Sequence, residues 1–312
     1  MVACRRGRFF QSRFQNHEGA FSTVKSKILI QLDSDNQPSV FDGVVAVDAG
    51  VDQLFRHSGV RPTDVRNLVY GAIFTRGVKD LCQTAIFVGG SDVSAGDELM
   101  KEVLSTFFGP MRVSVMVDSN GANTTAAAAV LSAAQHVPLE GSKSVVLGGT
   151  GPVGQRAARL LARAGSHVRV GSRSKDRAAA ICQSISDQVP GATLDSWSTA
   201  GTDDTAGAVE GTDIVICAGT TGVELLPDTL RRAVPQLKVA IDLNAVPPLG
   251  IGGIEVTDKG CERDGVIGYG AIGVGGTKMK IHKSVVAKLF EAADQVFDAE
   301  QIYEVGQSLV EK

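Results

Sequence analysis

The stretch VVLGGTGPVGQRAARLLARAGSHVRVGSRS, Val145–Ser174, joins an apolar run to three spaced glycines, a helical pattern and a second short apolar run. The glycines form G-x-G-x-x-G between a predicted strand and a predicted helix. In a βαβ unit they allow a tight turn, close backbone approach to a pyrophosphate and close packing of helix on strand. The helix N-terminus then favours the phosphates. The predicted cofactor-binding residues of this turn are Gly149, Thr150, Gly151, Pro152, Val153 and Gly154.

The end of the second apolar run indicates which dinucleotide is bound. A strand that recognises the ribose 2′-hydroxyl of NAD normally ends in Asp or Glu, whereas this one continues with Ser172, Arg173 and Lys175 before the first acidic residue, Asp176. A guanidinium suits a 2′-phosphate. We therefore predict NADP as the cofactor, with NAD also accepted. In the alternative interpretation, Arg173 and Lys175 only make the start of a helix more soluble.

Composition and charge limit the class of protein. The chain has 312 residues, of which 43% are hydrophobic and 21% charged, and is long enough for two domains of roughly 150 residues. A net charge of −3 and a pI near 6.0 provide no overall basic field for nucleic acid or anionic membrane. No apolar run approaches the ~20 residues of a membrane span. We expect a cytoplasmic protein whose partners are small molecules or copies of itself.

The cysteines and the N-terminal segment carry no further site. Five cysteines lie far apart without a C-x-x-C pair or a histidine at metal-ligand spacing, so we expect reduced thiols and no metal centre. Residues 1–25 are rich in arginine but lack the continuous apolar segment of a secretory signal. We predict a disordered extension there, with a transit peptide as the alternative. The cysteines are Cys4, Cys82, Cys182, Cys217 and Cys261.

The remaining pattern predicts an α/β protein of two domains. Buried-strand candidates KILIQLD, AIFVGG and VSVMVD, with an amphipathic helix between the last two, indicate an N-terminal α/β domain over residues 26–130. An alanine-rich helix, Asn123–His136, leads into a Rossmann-type parallel sheet over 131–283. Residues 284–312 are helical in pattern, and we expect them to pack back on the first domain. The glycine-rich stretch 250–283 is predicted to be a long functional loop.

Polar residues follow several predicted strands. DSNGANTT supplies carboxylate, amide and hydroxyl groups, NAVPPLGIGG supplies Asn244, and GVGGTKMKIHK supplies two lysines. Among the five histidines only His282 falls in these segments. Such groups suit recognition of a polar heterocycle better than general-base catalysis.

Several blocks of sequence resemble one family. PSVFD, TAIFVGG, FFGP, DSNGANTTAAA, LGGTGPVG, PPLGIGGI, GYGAIGVGG, KMKIHK and VFDAEQIY are similar to segments of the NAD(P)-dependent methylene-tetrahydromethanopterin dehydrogenases of methylotrophic and related bacteria. The resemblance runs in register from about Lys27 to the C-terminus, so only the N-terminal segment falls outside it.

The resemblance implies oxidation of the one-carbon bridge of 5,10-methylene-tetrahydromethanopterin to the methenyl form, with the pterin in the cleft between the domains. It places Lys278 at the pterin as the catalytic residue, with Lys280 as the alternative, and it implies a homo-oligomer, a trimer or hexamer. Asp118 could equally cap the alanine-rich helix. The predicted substrate-binding residues are Phe41, Asp42, Asp118, Asn120, Asn123, Thr124 and Lys280. Further cofactor contacts are assigned to Ser172, Arg173, Lys175, Ala218 and Asn244.

Two other functions remain open at this point. An NADP-dependent methylene-tetrahydrofolate dehydrogenase would carry out equivalent pterin chemistry on a substrate with a different tail. A regulatory protein that binds the nucleotide but has lost the chemistry would retain the glycine turn. Turnover assays distinguish both from the leading interpretation.

Overall fold

A computed structural model describes residues 25–310. The predicted N-terminal extension therefore lies almost wholly outside the described residues. Two sheets of mainly parallel strands form the frame, which confirms the predicted α/β class. The strands of the first sheet are β1 (Ile28–Asp33), β2 (Gln53–His57), β3 (Thr84–Gly89), β4 (Ser114–Val117) and β12 (Val296–Phe297). The helices beside it are α1 (Val40–Asp48), α2 (Pro62–Phe74) and α3 (Val93–Thr106), with 3₁₀ turns at Val78–Gln83 and Ser119–Gly121.

The first sheet has the order β12-β4-β3-β1-β2, and all of its pairs are parallel. Every residue of β3 is buried, which is expected of a central strand that is covered on both faces. The edge strand β12 comes from the C-terminal segment of the chain and pairs with β4. The end of the chain thus returns to the first sheet.

The second sheet has the order β10-β11-β9-β8-β5-β6-β7, in which only the β10/β11 pair is antiparallel. The chain leaves β5 in one direction through β6 and β7, and then returns to the other side of β5 through β8. Ligands of such sheets bind at the carboxyl ends of the strands where the order reverses. The strands are β5 (Lys143–Leu147), β6 (His167–Ser172), β7 (Leu194–Ser198), β8 (Ile214–Cys217), β9 (Val239–Asp242), β10 (Lys259–Arg263) and β11 (Val266–Tyr269). The connecting helices are α5 (Pro152–Arg163), α6 (Lys175–Gln188), α7 (Thr202–Val209) and α8 (Asp228–Arg232).

The prediction of a long loop over 250–283 is wrong. From Lys259 onward this stretch forms the β10/β11 hairpin and most of the helix α9 (Ala271–Lys288). Asp264 and Gly265, with φ of 53° and 80°, form the two-residue turn of the hairpin. An Asp-Gly pair is a strong hairpin signal that sequence reasoning could have used. A Cβ at Gly273 would collide with the Asp258 carbonyl oxygen, so this glycine allows α9 to lie against the backbone.

The alanine-rich helix α4 (Ala122–Ala134) occupies the centre of the molecule. Eleven of its 13 residues are buried, and it packs against α5, α9 and α10 (Ala299–Val310). Small side chains let these helices approach closely, and a Cβ at Gly306 of α10 would collide with Leu131 of α4. Since α5 belongs to the second sheet and α4 follows β4 of the first, this packing joins the two sheets.

Two further findings concern membrane-spanning helices and the predicted end of the second domain. Among residues 25–310, no helix is long and apolar enough to cross a membrane. Helix α9 runs without a break through residue 283, where the second domain was predicted to end. It contacts α1 and α4 as well as β10.

Replacement of a buried alanine of α4 should disturb the contact between the sheets. Ala128 is fully buried, so Ala128→Leu forces extra atoms into a filled space, and we expect the free energy of unfolding to fall by about 1–3 kcal/mol. Urea denaturation measures the change. Ala134→Leu, at an exposed position of the same helix, is the matched control and should have little effect. Equal losses in both variants would contradict the proposed role of close packing.

Candidate active site

Asp118 follows β4 at the carboxyl edge of the first sheet and is 1% exposed. Its Oδ1 accepts the backbone N–H groups of Asn123 and Thr124, each at 3.0 Å, and its Oδ2 accepts the Thr124 hydroxyl at 2.6 Å. Asp118 therefore does cap α4. Burial raises the pKa of Asp118 to about 6, although the nearby Lys278 ammonium and the bonds from Thr124 and Asn123 act in the opposite direction.

The ammonium of Lys278 lies over the same loop. A Cβ at Gly121, whose φ is 59°, would collide with the Lys278 Nζ, so the absence of a side chain there makes room for the amine. The Nζ also lies 5.8 Å from the centre of the Phe41 ring. The structure thus brings GGTKMK, on α9, against DSNGANTT. Lys280, two residues further along the helix, is exposed, whereas Lys278 is half-buried.

The start of α1 completes this group of side chains. Burial raises the pKa of Asp42, while the charge of the nearby Lys278 ammonium acts to lower it. Phe41, which is 51% exposed, lies 6.3 Å from the His282 ring between centroids. These contacts place Asp42 and Phe41 beside Lys278.

The loop that presents Phe41 and Asp42 depends on a carboxylate that sequence reasoning missed. Asp33, fully buried at the end of β1, accepts the backbone N–H groups of Asp35 at 2.9 Å and of Ser39 at 3.1 Å. Ser39 in turn caps α1 by accepting the Asp42 N–H. The only sequence signal was an aspartate at the end of an apolar strand.

His282 is a second site residue that had no predicted role. It is 1% exposed, stacks on Phe87 with 5.7 Å between ring centroids, and its Nδ1 lies 3.9 Å from Asp118 Oδ2. Burial lowers the pKa of His282 to about 4, so the ring is neutral near pH 7. It lies one helical turn after Lys278, and this spacing on one helix face was available in the sequence.

The side chains of Asn123 and Asn120, both predicted to contact the substrate, differ in burial. Asn123 is 2% exposed; its Nδ2 donates to the Val117 carbonyl at 2.7 Å, and its Oδ1 accepts a hydrogen bond from Arg156 Nε. Both ends of this amide are thus used within the protein. Asn120 has a left-handed backbone with φ of 52° and an exposed side chain, and its N–H donates to the Gly90 carbonyl.

The glycine turn between β5 and α5 has the geometry that the spacing predicts. A Cβ at Gly149 would lie 2.8 Å from Val170, and one at Gly154 would lie 2.8 Å from the Gly149 Cα, so both positions require close backbone packing. Gly151 precedes α5 and provides no side-chain cap. The first-turn N–H groups, including those of Val153 and Gly154, are therefore available for a phosphate. These residues fit a dinucleotide.

The end of β6 lies beside this turn. Ser172 is 6% exposed and its hydroxyl is 3.3 Å from the Thr150 hydroxyl, which links the strand end to the glycine turn. Arg173 and Lys175 are exposed at the start of α6, where Ser174 is the cap. Both cations can therefore reach a 2′-phosphate without first breaking a buried contact.

The other two predicted cofactor residues follow β8 and β9. The Ala218 carbonyl oxygen lies 3.6 Å from a Cβ built at Gly151, so it faces the glycine turn. Asn244 donates from Nδ2 to the Pro248 carbonyl at 3.2 Å and accepts the Val246 N–H at 3.1 Å, so its amide holds its own loop. Within the part of the chain that the structure describes, no group of three metal-ligating side chains is present.

Comparison with known proteins agrees with this arrangement. Residues 40–120 match the family described as methylene-tetrahydromethanopterin dehydrogenase, N-terminal. The NAD(P)-dependent methylenetetrahydromethanopterin dehydrogenase of Methylorubrum extorquens is 33% identical over 273 residues, which are 82% of this chain and 89% of that protein. The chain belongs to the methylene-tetrahydromethanopterin dehydrogenase family. This confirms the resemblance found in the sequence, and it identifies the protein as an oxidoreductase.

Other known proteins and one further family are also similar to this dehydrogenase. The bifunctional protein MdtA of the same organism is 45% identical over 288 residues, which are 92% of this chain and all of that protein. Residues 143–245 match the family described as NADP oxidoreductase coenzyme F420-dependent. Shikimate 5-dehydrogenase from Listeria monocytogenes shares the fold, with a TM-score of 0.55 at 14% identity over 95% of this chain and 99% of that one.

The raised pKa of Asp118 should make its contribution to stability depend on pH. Because the pKa is about 6 in the folded protein against 3.8 for an ordinary Asp carboxyl, that contribution is complete below pH 3.8 and is lost as pH rises through 6. We expect the free energy of unfolding of the wild type minus that of Asp118→Asn to fall by on the order of 2–3 kcal/mol between pH 3.5 and 7. Urea denaturation at several pH values tests this. A difference that rises with pH would show that the native state favours the ionised form.

Proposed function

We propose that this dehydrogenase oxidises 5,10-methylene-tetrahydromethanopterin to the methenyl form while NADP⁺ is reduced. The observation that carries the proposal is the position of Lys278, over the Asp118–Thr124 loop at the carboxyl edge of the first sheet. The same loop begins α4, which packs directly on the helix of the glycine turn. A pterin at Lys278 and a dinucleotide at the turn would therefore be neighbours.

The side chains suit a reaction that forms a cation. Hydride leaves a carbon flanked by two nitrogens, so the positive charge of the product is delocalised over both and no general base is required. Carboxylates near such a charge stabilise it, and Asp42 and Asp118 lie in this position. They also offset the charge of Lys278, whose ammonium would otherwise oppose the forming cation. Lys278 acts by donating hydrogen bonds to the pterin away from the reacting carbon.

The nucleotide site suits NADP. The N-terminus of α5 would hold the pyrophosphate, and Ser172, Arg173 and Lys175 would hold the 2′-phosphate. When bound, the nicotinamide supplies the hydride acceptor. NAD lacks the 2′-phosphate contact and meets no carboxylate for its 2′-hydroxyl in these three positions, but it keeps the pyrophosphate contacts, so we propose that it is accepted with lower efficiency.

A steady-state assay with two methylene pterins and two nicotinamides tests the proposal. Methylene-tetrahydrofolate has an equivalent one-carbon bridge and is the alternative substrate, which the assay distinguishes by kcat/KM. Tight NADP binding without turnover of either pterin would instead support a regulatory protein. We further propose a cytoplasmic homo-oligomer, a trimer or hexamer; light scattering that gives a monomer would contradict this.

Removal of the Lys278 amine should reduce turnover. We expect Lys278→Ala to lower kcat by at least about tenfold, or roughly 1.4 kcal/mol of barrier, because the pterin loses a donor. The Kd of NADP should change little. Lys280→Ala is the matched control, since Lys280 is exposed on the same helix, and it should have a smaller effect. A reversed order of the two variants would transfer the pterin contact to Lys280.

Arg173 should determine the preference for NADP. Charge-assisted bonds to a phosphate contribute about 1.5–3 kcal/mol, which corresponds to roughly a ten- to hundredfold preference. We expect Arg173→Ala to lower kcat/KM for NADP by about that factor and to leave NAD kinetics nearly unchanged. Equal losses with both nucleotides, or a wild-type preference for NAD, would be inconsistent with a 2′-phosphate contact.

A further inference from the structure

Arg156, on the first turns of α5, contacts three separate parts of the molecule. Its Nη1 donates to the Pro152 carbonyl at 3.3 Å, in the turn that begins the nucleotide-binding helix. Its Nη2 donates to both carboxylate oxygens of Asp97 on α3, at 3.0 and 3.2 Å. Its Nε donates to Asn123 Oδ1. The guanidinium thus links the nucleotide-binding helix α5 to α3 and α4, two helices that follow strands of the first sheet.

The contact with Asn123 leads directly to the candidate pterin site. The Asn123 amide also donates to the Val117 carbonyl, and the Asn123 backbone N–H donates to the Asp118 carboxylate. Asn123 is 2% exposed, so its Oδ1 has no ready replacement by bulk water if Arg156 is removed. A change at Arg156 would therefore be felt at the carboxylate that lies beside Lys278.

We propose that Arg156 is a positioning residue that holds the loop Asp118–Thr124 in register with the nucleotide-binding turn, and so sets the distance over which hydride moves. The inference rests on the proposed function. Hydride transfer requires both rings to be held within a narrow range of separation, and small displacements reduce the rate strongly. Arg156 need not touch either ligand to have this effect.

The chain provides a matched control three residues later. Arg159 lies on the same helix and also pairs with an acidic residue on another element, Glu300 of α10, at 3.2 Å from its Nη2. Arg156 is 13% exposed and Arg159 23% exposed, so the two side chains are similarly buried. Arg159 has no hydrogen bond to the Asp118–Thr124 loop within residues 25–310. Loss of Arg159 therefore tests the general effect of losing an ion pair on α5.

The experiment compares Arg156→Met with Arg159→Met, since methionine retains an apolar stem. We expect Arg156→Met to slow single-turnover hydride transfer from methylene-tetrahydromethanopterin by at least about tenfold, with the Kd values of NADP and of the pterin within about threefold of wild type. Arg159→Met should keep the transfer rate within about twofold of wild type, even if its Tm falls as far as that of Arg156→Met. Tm is measured for both variants by differential scanning calorimetry.

A double-mutant cycle tests whether Arg156 acts through Asn123. The transfer rate of Arg156→Met/Asn123→Ala should be close to that of either single variant, because the two residues are parts of one contact. Independent, multiplicative losses, or equal slowing by Arg159→Met, would overturn the positioning role. A wild type that oxidises neither methylene pterin would overturn the proposed function and this role with it, whereas wild-type turnover without a selective loss in Arg156→Met overturns this role alone.

Discussion

The close packing of an alanine-rich helix between two sheets is the constraint on which this structure depends. Helix α4 is buried on nearly all sides, and it contacts α5, α9 and α10 at once. Larger side chains would separate these helices and, with them, the glycine turn from the Asp118 loop. Such close-packed interiors tolerate little change in volume. The separation of the glycine turn from the Asp118 loop therefore depends on the small side chains of α4.

Asp118 links this packing to the chemistry. The same carboxylate caps α4, lies beside the Lys278 amine and is buried next to a neutral histidine. A buried carboxylate must be compensated by hydrogen bonds or charge, and here both are supplied by residues of the candidate site. Sequence reasoning gave the capping and substrate roles as alternatives. The structure shows the capping contacts, and they leave the carboxylate adjacent to Lys278.

Structural features that depend on residues close together in the sequence were predicted correctly. The glycine turn, the strand before it and the strand that ends at Ser172 follow from local spacing, because each glycine serves a contact within one βαβ unit. The glycine-rich stretch after Gly250 was misread as a loop, since composition alone does not distinguish a flexible glycine from one that lies against a neighbouring backbone. Gly273 lies against the backbone of Asp258 within helix α9. Lys278 therefore lies on a helix and not in a loop.

The sequence by itself determined the fold class, the glycine turn, the family resemblance and most of the buried strands, because these depend on periodicity and short-range spacing. Only the tertiary structure decided which side chains meet. Arg156 bonds to Asn123, and His282 lies beside Asp118, and each of these pairs is far apart along the chain. The amide of Asn123, assigned to substrate from its place in a polar loop, is bonded to Arg156 across the helix contact. Such pairings arise only when packing brings distant segments together, and their physical basis is therefore absent from any local stretch of sequence.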